Sequence, residues 1–530
     1  MAKVDQDVEK TSPQESQKVH WSKLEEVEKE GRPAFMLTRT EMKLLGIAGV
    51  GFFLDAYDLF IINPVATMLQ YRLYGGEHLP TDLEGFVKAG ANIGSVIGQI
   101  AFGYAADAFG RKAVYGKELM LIILGTILTM TTPTGSLSPR GSLIYLGVFR
   151  ILLGIGVGGD YPMSATVTSD RANLRKRGTM LAYIFANQGW GSLIGALMTI
   201  IVLACYKNVM EEGQISKVDG VWRIVVGVSL IPAFGTLYQR LTLPESTRFE
   251  NTQQAQNVEQ SDDQSESSKK LSSKKESETD SDLDKADDAE VPLKKKAHFR
   301  EALAYFSEWR HLRLIMGTAS CWFLLDIAFY GINLNQNVVL QQIGFDGSSG
   351  SAWNRLFKIS TGNIIITALG FVPGYYVTVL TIEKLGRKFI QIQGFLMTSL
   401  FLAILAGKFN SLSKPAFIVL FALLQFFFNF GPNSTTYCYP AEVFPTRYRA
   451  FAHGFSAACG KCGAIISALA FNTLSKKVGT PVVLWIFFAC NIAGAFCTLL
   501  LPEVRGRDPD EILAKEIEEA NMKKRIQETN

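Results

Sequence analysis

Six ionisable side chains sit well inside long apolar stretches of this 530-residue chain: Asp55, Asp58, Arg150, Asp160, Asp326 and Lys461. In hydrocarbon such a charge costs roughly 2.5–3.5 kcal/mol on insertion scales, so it is retained where it faces a polar cavity and handles an ion or a proton. The most polar of these stretches, Arg150 to Asp170, reads RILLGIGVGGDYPMSATVTSD and carries Asp160-Tyr161-Pro162 at its middle. Spacing groups the other residues. Asp55 and Asp58 stand at i and i+3, on one face of a helix. Trp322, Asp326 and Tyr330 stand four apart and share a second face, and Asn429 and Asn433 share a third. Asn187 and Gln188 interrupt a further apolar run. Trp322 and Tyr330 alone would be packing residues; flanking an aspartate on the same face, they are expected to line its cavity. Gln188 reads equally as a bond between helices and as a ligand contact. Lys461, a lone cation in its run, can pair with an aspartate of another helix or attract an anion.

Only a scaffold of membrane-crossing helices would hold these groups together. The chain is 48% hydrophobic and 19% charged, and its apolar residues come in blocks of the roughly 20 residues that cross a bilayer. Twelve spans are predicted, near 43–69, 85–108, 113–133, 142–168, 178–205, 221–242, 311–338, 356–380, 388–407, 415–438, 449–473 and 482–501. The expected fold class is therefore an all-α membrane protein with twelve transmembrane helices in two six-helix halves, 41–245 and 306–505. Residues 246–305 are rich in serine and charge, with too few apolar residues to bury a core, and are expected to form a disordered cytoplasmic linker. Residues 1–40 and 506–530 are expected to be cytoplasmic tails, and residues 1–35 lack the apolar core of a signal peptide. Arg111-Lys112, Arg171 to Arg177, Arg387-Lys388, and Arg447 with Arg449 fall in alternate loops, which places those loops and both termini in the cytoplasm. The net charge of +4 is small and does not point to nucleic acid.

The halves repeat each other. Asp107-Ala-Phe-Gly110-Arg111-Lys112 follows the second span, and Glu383-Lys-Leu-Gly386-Arg387-Lys388 follows the eighth. Pro244-Glu245-Ser246-Thr247-Arg248 ends the sixth span, and Pro502-Glu503-Val504-Arg505 ends the twelfth. Two parallel six-span repeats joined by a polar linker are a transporter architecture. The acid at a helix end, followed by a Gly-Arg-Lys turn, reads as a clasp between helix ends that forms in one conformation and breaks in the other. Asp107, Gly110, Arg111, Glu383, Gly386 and Arg387 are its expected gating residues.

Gly103-x-x-x-Asp107-x-x-Gly110-Arg111-Lys112 resembles the signature loop of the major facilitator superfamily. Gly158-Gly159-Asp160-Tyr161-Pro162-Met163-Ser164-Ala165-Thr166 resembles the signature of its proton-coupled phosphate branch, shared by plant and fungal phosphate transporters. Gly51 to Asp58 is similar to the same branch, and the resemblance covers all the spans but not the tails or linker. Met163 and Asp170 depart mildly from it, standing where leucine and glutamate are expected; the charged linker is more like the fungal members. The resemblance implies the major facilitator fold and high-affinity import of inorganic phosphate with protons through the plasma membrane, with no cofactor and no metal.

The polar set suits that substrate. Dihydrogen phosphate presents acceptor oxygens and hydroxyl donors. Tyr161, Gln188, Trp322, Tyr330 and Asn433 supply donors, and Asp326 can accept from a phosphate hydroxyl; the resemblance implies the same residues. An ionised carboxylate repels an anion, more strongly at low dielectric. Asp326 is therefore expected to bind substrate only when it or the anion is protonated, which couples proton to phosphate. Asp55, Asp58 and Asp160 have no evident donor role and are assigned, with Asp326, to proton transfer. Arg150 is expected to pair with one of them or with Glu118, so Arg150, Lys461 and Glu118 are the expected charge partners.

Two rival functions belong beside this one. Pro244 to Arg248 also resembles the span-six ending of sugar carriers of the same superfamily, although Cys321 to Asn337 lacks their Gln-Gln and Ser-Gly pattern. A phosphate-sensing receptor would use the serine-rich linker as its output. An enzyme is not expected, because no metal cluster, nucleophile–base pair or phosphate-cradling glycine loop is visible. Cys459-x-x-Cys462 lies in an apolar run and reads as packing, and the Asn433-Ser-Thr sequon lies inside a span, where glycosylation is not expected.

Overall fold

The computed structural model describes residues 33–246, 248, 298–345, 347 and 350–529, which form helices and no strand. Eleven stretches among the described residues are long and apolar enough to cross a membrane. In chain order they are α1 (Arg39–Tyr74), α3 (Arg111–Met130), α4 (Pro139–Arg171), α5 (Leu174–Cys205), α6 (Ile215–Leu241), α7 (Trp309–Asn333), α8 (Ala352–Leu385), α9 (Arg387–Lys408), α10 (Lys414–Val443), α11 (Arg449–Val478) and α12 (Thr480–Leu500). The remaining span, α2 (Thr81–Phe109), is of similar length but more polar, with Lys88, Asn92, Ser95 and Gln99 buried along it. Each of the twelve predicted spans thus has its helix, and the protein is a multi-pass membrane protein of the all-α class.

Local sequence sets the ends. Thr38 opens α1 with a capping box: its hydroxyl accepts from Glu41 N (3.2 Å), and the Glu41 carboxylate accepts from Thr38 N (2.7 Å). Ser138, Ser351 and Ser413 cap α4, α8 and α10 in the same side-chain-to-backbone manner. The glycines of the two clasp motifs have a plain steric role. Gly110 (φ 94°) and Gly386 (φ 82°) occupy the left-handed region while the chain turns from one helix into the next.

Close backbone contact keeps the polar α2 in place. A Cβ on Gly94 or Gly98 would lie 2.0 Å from the carbonyl oxygen of Ile151 or Ile155 in α4, and one on Gly154 would lie 2.1 Å from Ala91 O. On another side, a Cβ on Gly454 of α11 would lie 2.2 Å from Gln99 O. The helix is wedged between its own half and the other one, packed through small residues as helices in lipid are. Several of the spans around the centre are interrupted: α1 at Ile61, α8 by a π-helical turn over Thr367–Phe371, and α10 between Asn429 and Pro432.

The two clasp motifs tie the halves together reciprocally. The Asp107 carboxylate accepts from Ala450 N (3.3 Å) and Phe451 N (2.8 Å) in the first turn of α11. Glu383 accepts from Thr179 N (3.0 Å) near the start of α5. Each acid therefore caps a helix of the opposite half, where orphan N–H groups and the helix dipole favour a carboxylate. Arg111 lies 3.2 Å from Asp107 and 3.3 Å from Asp170, and it donates to Thr446 O (2.7 Å) across the interface. Arg387 pairs with Glu383 (2.8 Å) and Glu442 (2.7 Å), and Arg449 of one half pairs with Asp170 of the other. On the opposite face, Asn63 donates to Asn333 O (2.9 Å) and Trp353 donates to Leu203 O (2.7 Å), again between halves.

One expectation needs correction. The expected linker does not run unbroken to residue 305, because His298–Ser307 is a helix. Ala302 and Phe306, four apart, are buried against Ile315, Phe444 and Tyr448, and the ring of Tyr305 stacks on Tyr448 at 4.7 Å. A short apolar face behind a run of charges is enough to dock this segment. The expected C-terminal tail also contains a helix, Pro509–Thr529. Residues 1–32 and 249–297 lie outside the described residues.

Candidate functional site

At the centre, both halves contribute to one hydrogen-bonded network. From the first half, Tyr161 of α4 donates to Asp55 Oδ2 of α1 (2.5 Å). Gln188 of α5 donates through Nε2 to the same oxygen (2.7 Å) and to Tyr161 Oη (2.9 Å). From the second half, Tyr375 of α8 donates to Gln188 Oε1 (3.1 Å) and accepts from Asn433 Nδ2 (2.8 Å), which also donates to Asn429 Oδ1 (2.7 Å). Lys461 of α11 donates to the phenol oxygens of Tyr161 (3.3 Å) and Tyr330 (2.5 Å), and it lies over both rings at 5.0 and 4.3 Å. Two links therefore cross the interface here, Lys461 to Tyr161 and Tyr375 to Gln188.

Trp322 and Asp326 of α7 complete the wall. The Trp322 ring lies 6.1 Å from that of Tyr161. Gly460 gives α7 room: a Cβ there would lie 2.5 Å from Trp322 Cδ1 and 3.0 Å from Asp326 Oδ2. Asp326 Oδ2 has no hydrogen-bond partner among the described residues. Lys461 is close enough to attract both Asp55 and Asp326, yet its own hydrogen bonds go to phenols. Tyr161, Gln188, Trp322, Asp326, Tyr330, Asn433 and Lys461 are each at most 5% exposed. The six residues expected from the sequence to bind substrate lie together, and Asp55, expected to transfer protons, and Lys461, expected as a charge partner, join them.

The other expected charge partners divide differently. Arg150 does not pair with Glu118. Its guanidinium donates to Val87 O (3.0 Å) and to the backbone carbonyl of Asp58 (3.3 Å twice), with the Asp58 carboxylate within attraction. The Asp58 carboxylate makes none of the hydrogen bonds of the central network that Asp55 joins. Asp160 and Glu118 share another cation, Arg240 near the end of α6. Arg240 Nη1 pairs with Asp160 and lies 3.2 Å from Glu118, while Ser164 donates to Asp160 (3.0 Å). Sequence reasoning missed Arg240 because a basic residue at a span's end reads as a topology anchor. It missed Tyr375 because a tyrosine in an apolar run has no distinguishing spacing.

The sequence pattern of the sugar (and other) transporter family matches residues 44–515. The chain belongs to that family. A Schizosaccharomyces pombe relative is 45% identical over 92% of this chain and 91% of its own length. The inorganic phosphate transporter PHO84 of Saccharomyces cerevisiae is 37% identical, covering 89% of this chain and 84% of its own. The repressible high-affinity phosphate permease of Neurospora crassa is also 37% identical, over 89% and 86%. Among solved structures, the major facilitator superfamily proton:xylose symporter XylE superposes with a TM-score of 0.66 over 89% of this chain and 98% of that one, at 19% identity. That likeness establishes the major facilitator fold. This member of the family is therefore of a transporter class rather than an enzyme class, and PHO84 and the Neurospora permease are both named for phosphate.

In this transporter-family member the central network sits where the halves meet. Its cation is held by neutral phenols, and its carboxylates come from opposite halves. Such a set can exchange a phenol for an incoming oxygen at Lys461 without first breaking an ion pair.

Proposed function

We propose that the chain imports inorganic phosphate together with protons across the plasma membrane by alternating access. One observation carries the reading: Lys461 and the buried donors of Tyr161, Gln188, Tyr330 and Asn433 converge between two carboxylates, Asp55 and Asp326, contributed by different halves. A buried ammonium favours an anion over a neutral sugar. The names of PHO84 and the Neurospora permease support phosphate as that anion.

Charge counting supplies the coupling. With both carboxylates ionised the set carries one cation and two anions, and a bound phosphate monoanion adds a third negative charge. In a medium of low dielectric that repulsion is severe, and protonating Asp326 or Asp55 relieves it. Asp58, one turn from Asp55 on the side away from the clasp loops, is the outer step of the proton route. Asp160 joins that route only when its pairing with Arg240 opens. The clasp loops face the cytoplasm; their helix caps hold the inner side shut, and their release opens the site inward. Two protons carried with one monoanion move net positive charge, which gains about 2.3 kcal/mol per 100 mV.

Radiolabelled phosphate uptake into proteoliposomes, with and without an inward proton gradient, tests the reading. The wild type should concentrate phosphate only with the gradient, and Asp326→Asn should abolish that accumulation. Equal accumulation without any proton or voltage difference would overturn the coupling.

A further inference from the structure

Between the central network and the face away from the clasp loops lies a narrow cleft. α1 and α5 of one half and α8 of the other supply its walls. Its floor is aromatic: Phe60 stacks on Tyr330 at 6.4 Å and meets Phe371 edge-on at 5.9 Å. Tyr330 is the phenol that holds Lys461. A single layer of rings thus separates this pocket from the central network.

The walls of this pocket mix the apolar Ile61, Pro64 and Ala196 with the polar Ser192, Thr199, Gln336, Ser360, Asn363 and Thr367, and no charged side chain lines it among the described residues. Three hydroxyls are used within their own helices, Thr199 toward Gly195 O (2.8 Å), Ser360 toward Leu356 O (2.9 Å) and Thr367 toward Asn363 O (2.9 Å). Ser192 and Asn363 are not. Ser192 Oγ and Asn363 Oδ1 have no partner among the described residues, although the residues are only 5% and 7% exposed. Leaving such groups unmatched costs about 1–3 kcal/mol each. The π-helical turn Thr367–Phe371 supplies two of the lining residues, and turns of this kind are frequent at functional sites.

We propose that this pocket is an outer staging site for a protonated phosphate-type oxyanion, one step before the central network. The inference rests on the phosphate-import reading. The Ser192 hydroxyl and the Asn363 and Gln336 amides each both donate and accept, as do the oxygens and hydroxyls of a protonated oxyanion. With no cation in the walls, the pocket holds the anion weakly. Lys461 behind the ring layer then draws it inward, and Phe60 and Phe371 must part to let it pass.

The test uses the full chain in proteoliposomes, with inorganic phosphate supplied from each side in turn. Asn363→Leu and Ser192→Val should lower kcat/KM for phosphate supplied from the pocket side by about tenfold, the weight of one hydrogen bond to a charged group. Maximal rate and the KM for phosphate from the clasp side should not change, and Asn363→Ser should restore part of the loss. Thermal unfolding checks folding, and Gln336→Leu replaces either variant that fails to fold. Unchanged kcat/KM in these variants, or an equal shift from both sides, overturns the staging site. So does glucose competing at the pocket side as well as phosphate does. A wild type that moves no phosphate overturns the import reading itself, whereas a wild type that imports while the variants match it overturns the staging site alone.

Discussion

Two neighbouring regions bury their carboxylates in opposite ways. Around Asp160 the charges are locked. Arg240 pairs with Asp160 and Glu118, its guanidinium lies 5.0 Å from the centre of the Tyr115 ring, and Gly51 leaves space that a Cβ would fill at 1.7 Å from Asp160 Oδ2. Around Asp55 the partners are a phenol and an amide, and the nearby cation is itself held by phenols. A carboxylate in an ion pair keeps its charge, because losing it would strand the cation. A carboxylate held by neutral donors can gain a proton without leaving a bare charge behind. The first region thus fixes structure, and the second can change its charge during a cycle.

The largest effect should come from breaking the locked region. Arg240→Met strands two buried carboxylates, and removing one partner of a buried pair typically costs about 3–5 kcal/mol. Its thermal unfolding midpoint should fall steeply. Lys461→Met should leave that midpoint near the wild-type value, because Lys461 makes no ion pair among the described residues, yet weaken phosphate binding about a hundredfold. Reversal of the two outcomes would break the comparison.

Asp55→Asn and Asp160→Asn sharpen it. The first should flatten the pH dependence of uptake with little loss of stability. The second should cost stability and leave the pH dependence in place. If Asp160→Asn also moved the pH profile, the Arg240 cluster would have to open during transport.

Much of the architecture was legible from residue types, although this division was not. Apolar blocks marked the spans, and the two acid-x-x-Gly-Arg-Lys loops marked the clasp, because both signals are local in the chain. The four-residue spacing of Trp322, Asp326 and Tyr330 placed them on one wall for the same reason. Which cation meets which acid was not legible. Arg240 and Glu118 are 122 positions apart, and only the packing of α3, α4 and α6 brings them together. Asp55 and Asp58 look equivalent at i and i+3, but the Asp55 carboxylate accepts from Tyr161 and Gln188 whereas at Asp58 it is the backbone carbonyl that accepts from Arg150. The helix His298–Ser307 could have been found from Ala302 and Phe306, whose spacing is helical, had the preceding lysines not set the expectation of a linker.

A smaller effect should follow from removing a clasp cap. Glu383→Gln keeps an acceptor for Thr179 N but removes the charge facing Arg387 and the start of α5. A loss of about 1 kcal/mol in the tied form is expected. It should appear as faster hydrogen exchange in the first turn of α5. Asp107→Asn should act likewise at α11, and effects confined to one copy would show that the clasps are not equivalent.

The smallest effect concerns the helix Pro509–Thr529, docked on the clasp side. Asp510 accepts from Thr446 N (2.6 Å) and Thr446 Oγ1 (2.7 Å) and lies 3.7 Å from Arg449. Burial alone would raise its carboxyl, but Arg449 and the two Thr446 hydrogen bonds outweigh that and hold it below the ordinary value of 3.8. A carboxyl depressed on docking stabilises the docked state above its free pKa and loses that contribution only as pH falls through the docked value. The protection of this helix against hydrogen exchange, relative to the free-amide rate at each pH, should therefore be the same at about pH 5 and about pH 8, and should fall only below about pH 4. Asp510→Asn should weaken docking by about 1 kcal/mol, and by the same amount at both of those pH values. Loosening of the wild-type helix already at about pH 5 would put another titrating contact in control. The pair of His311 and Glu516, 3.2 Å apart across the same interface, would then be the first to substitute.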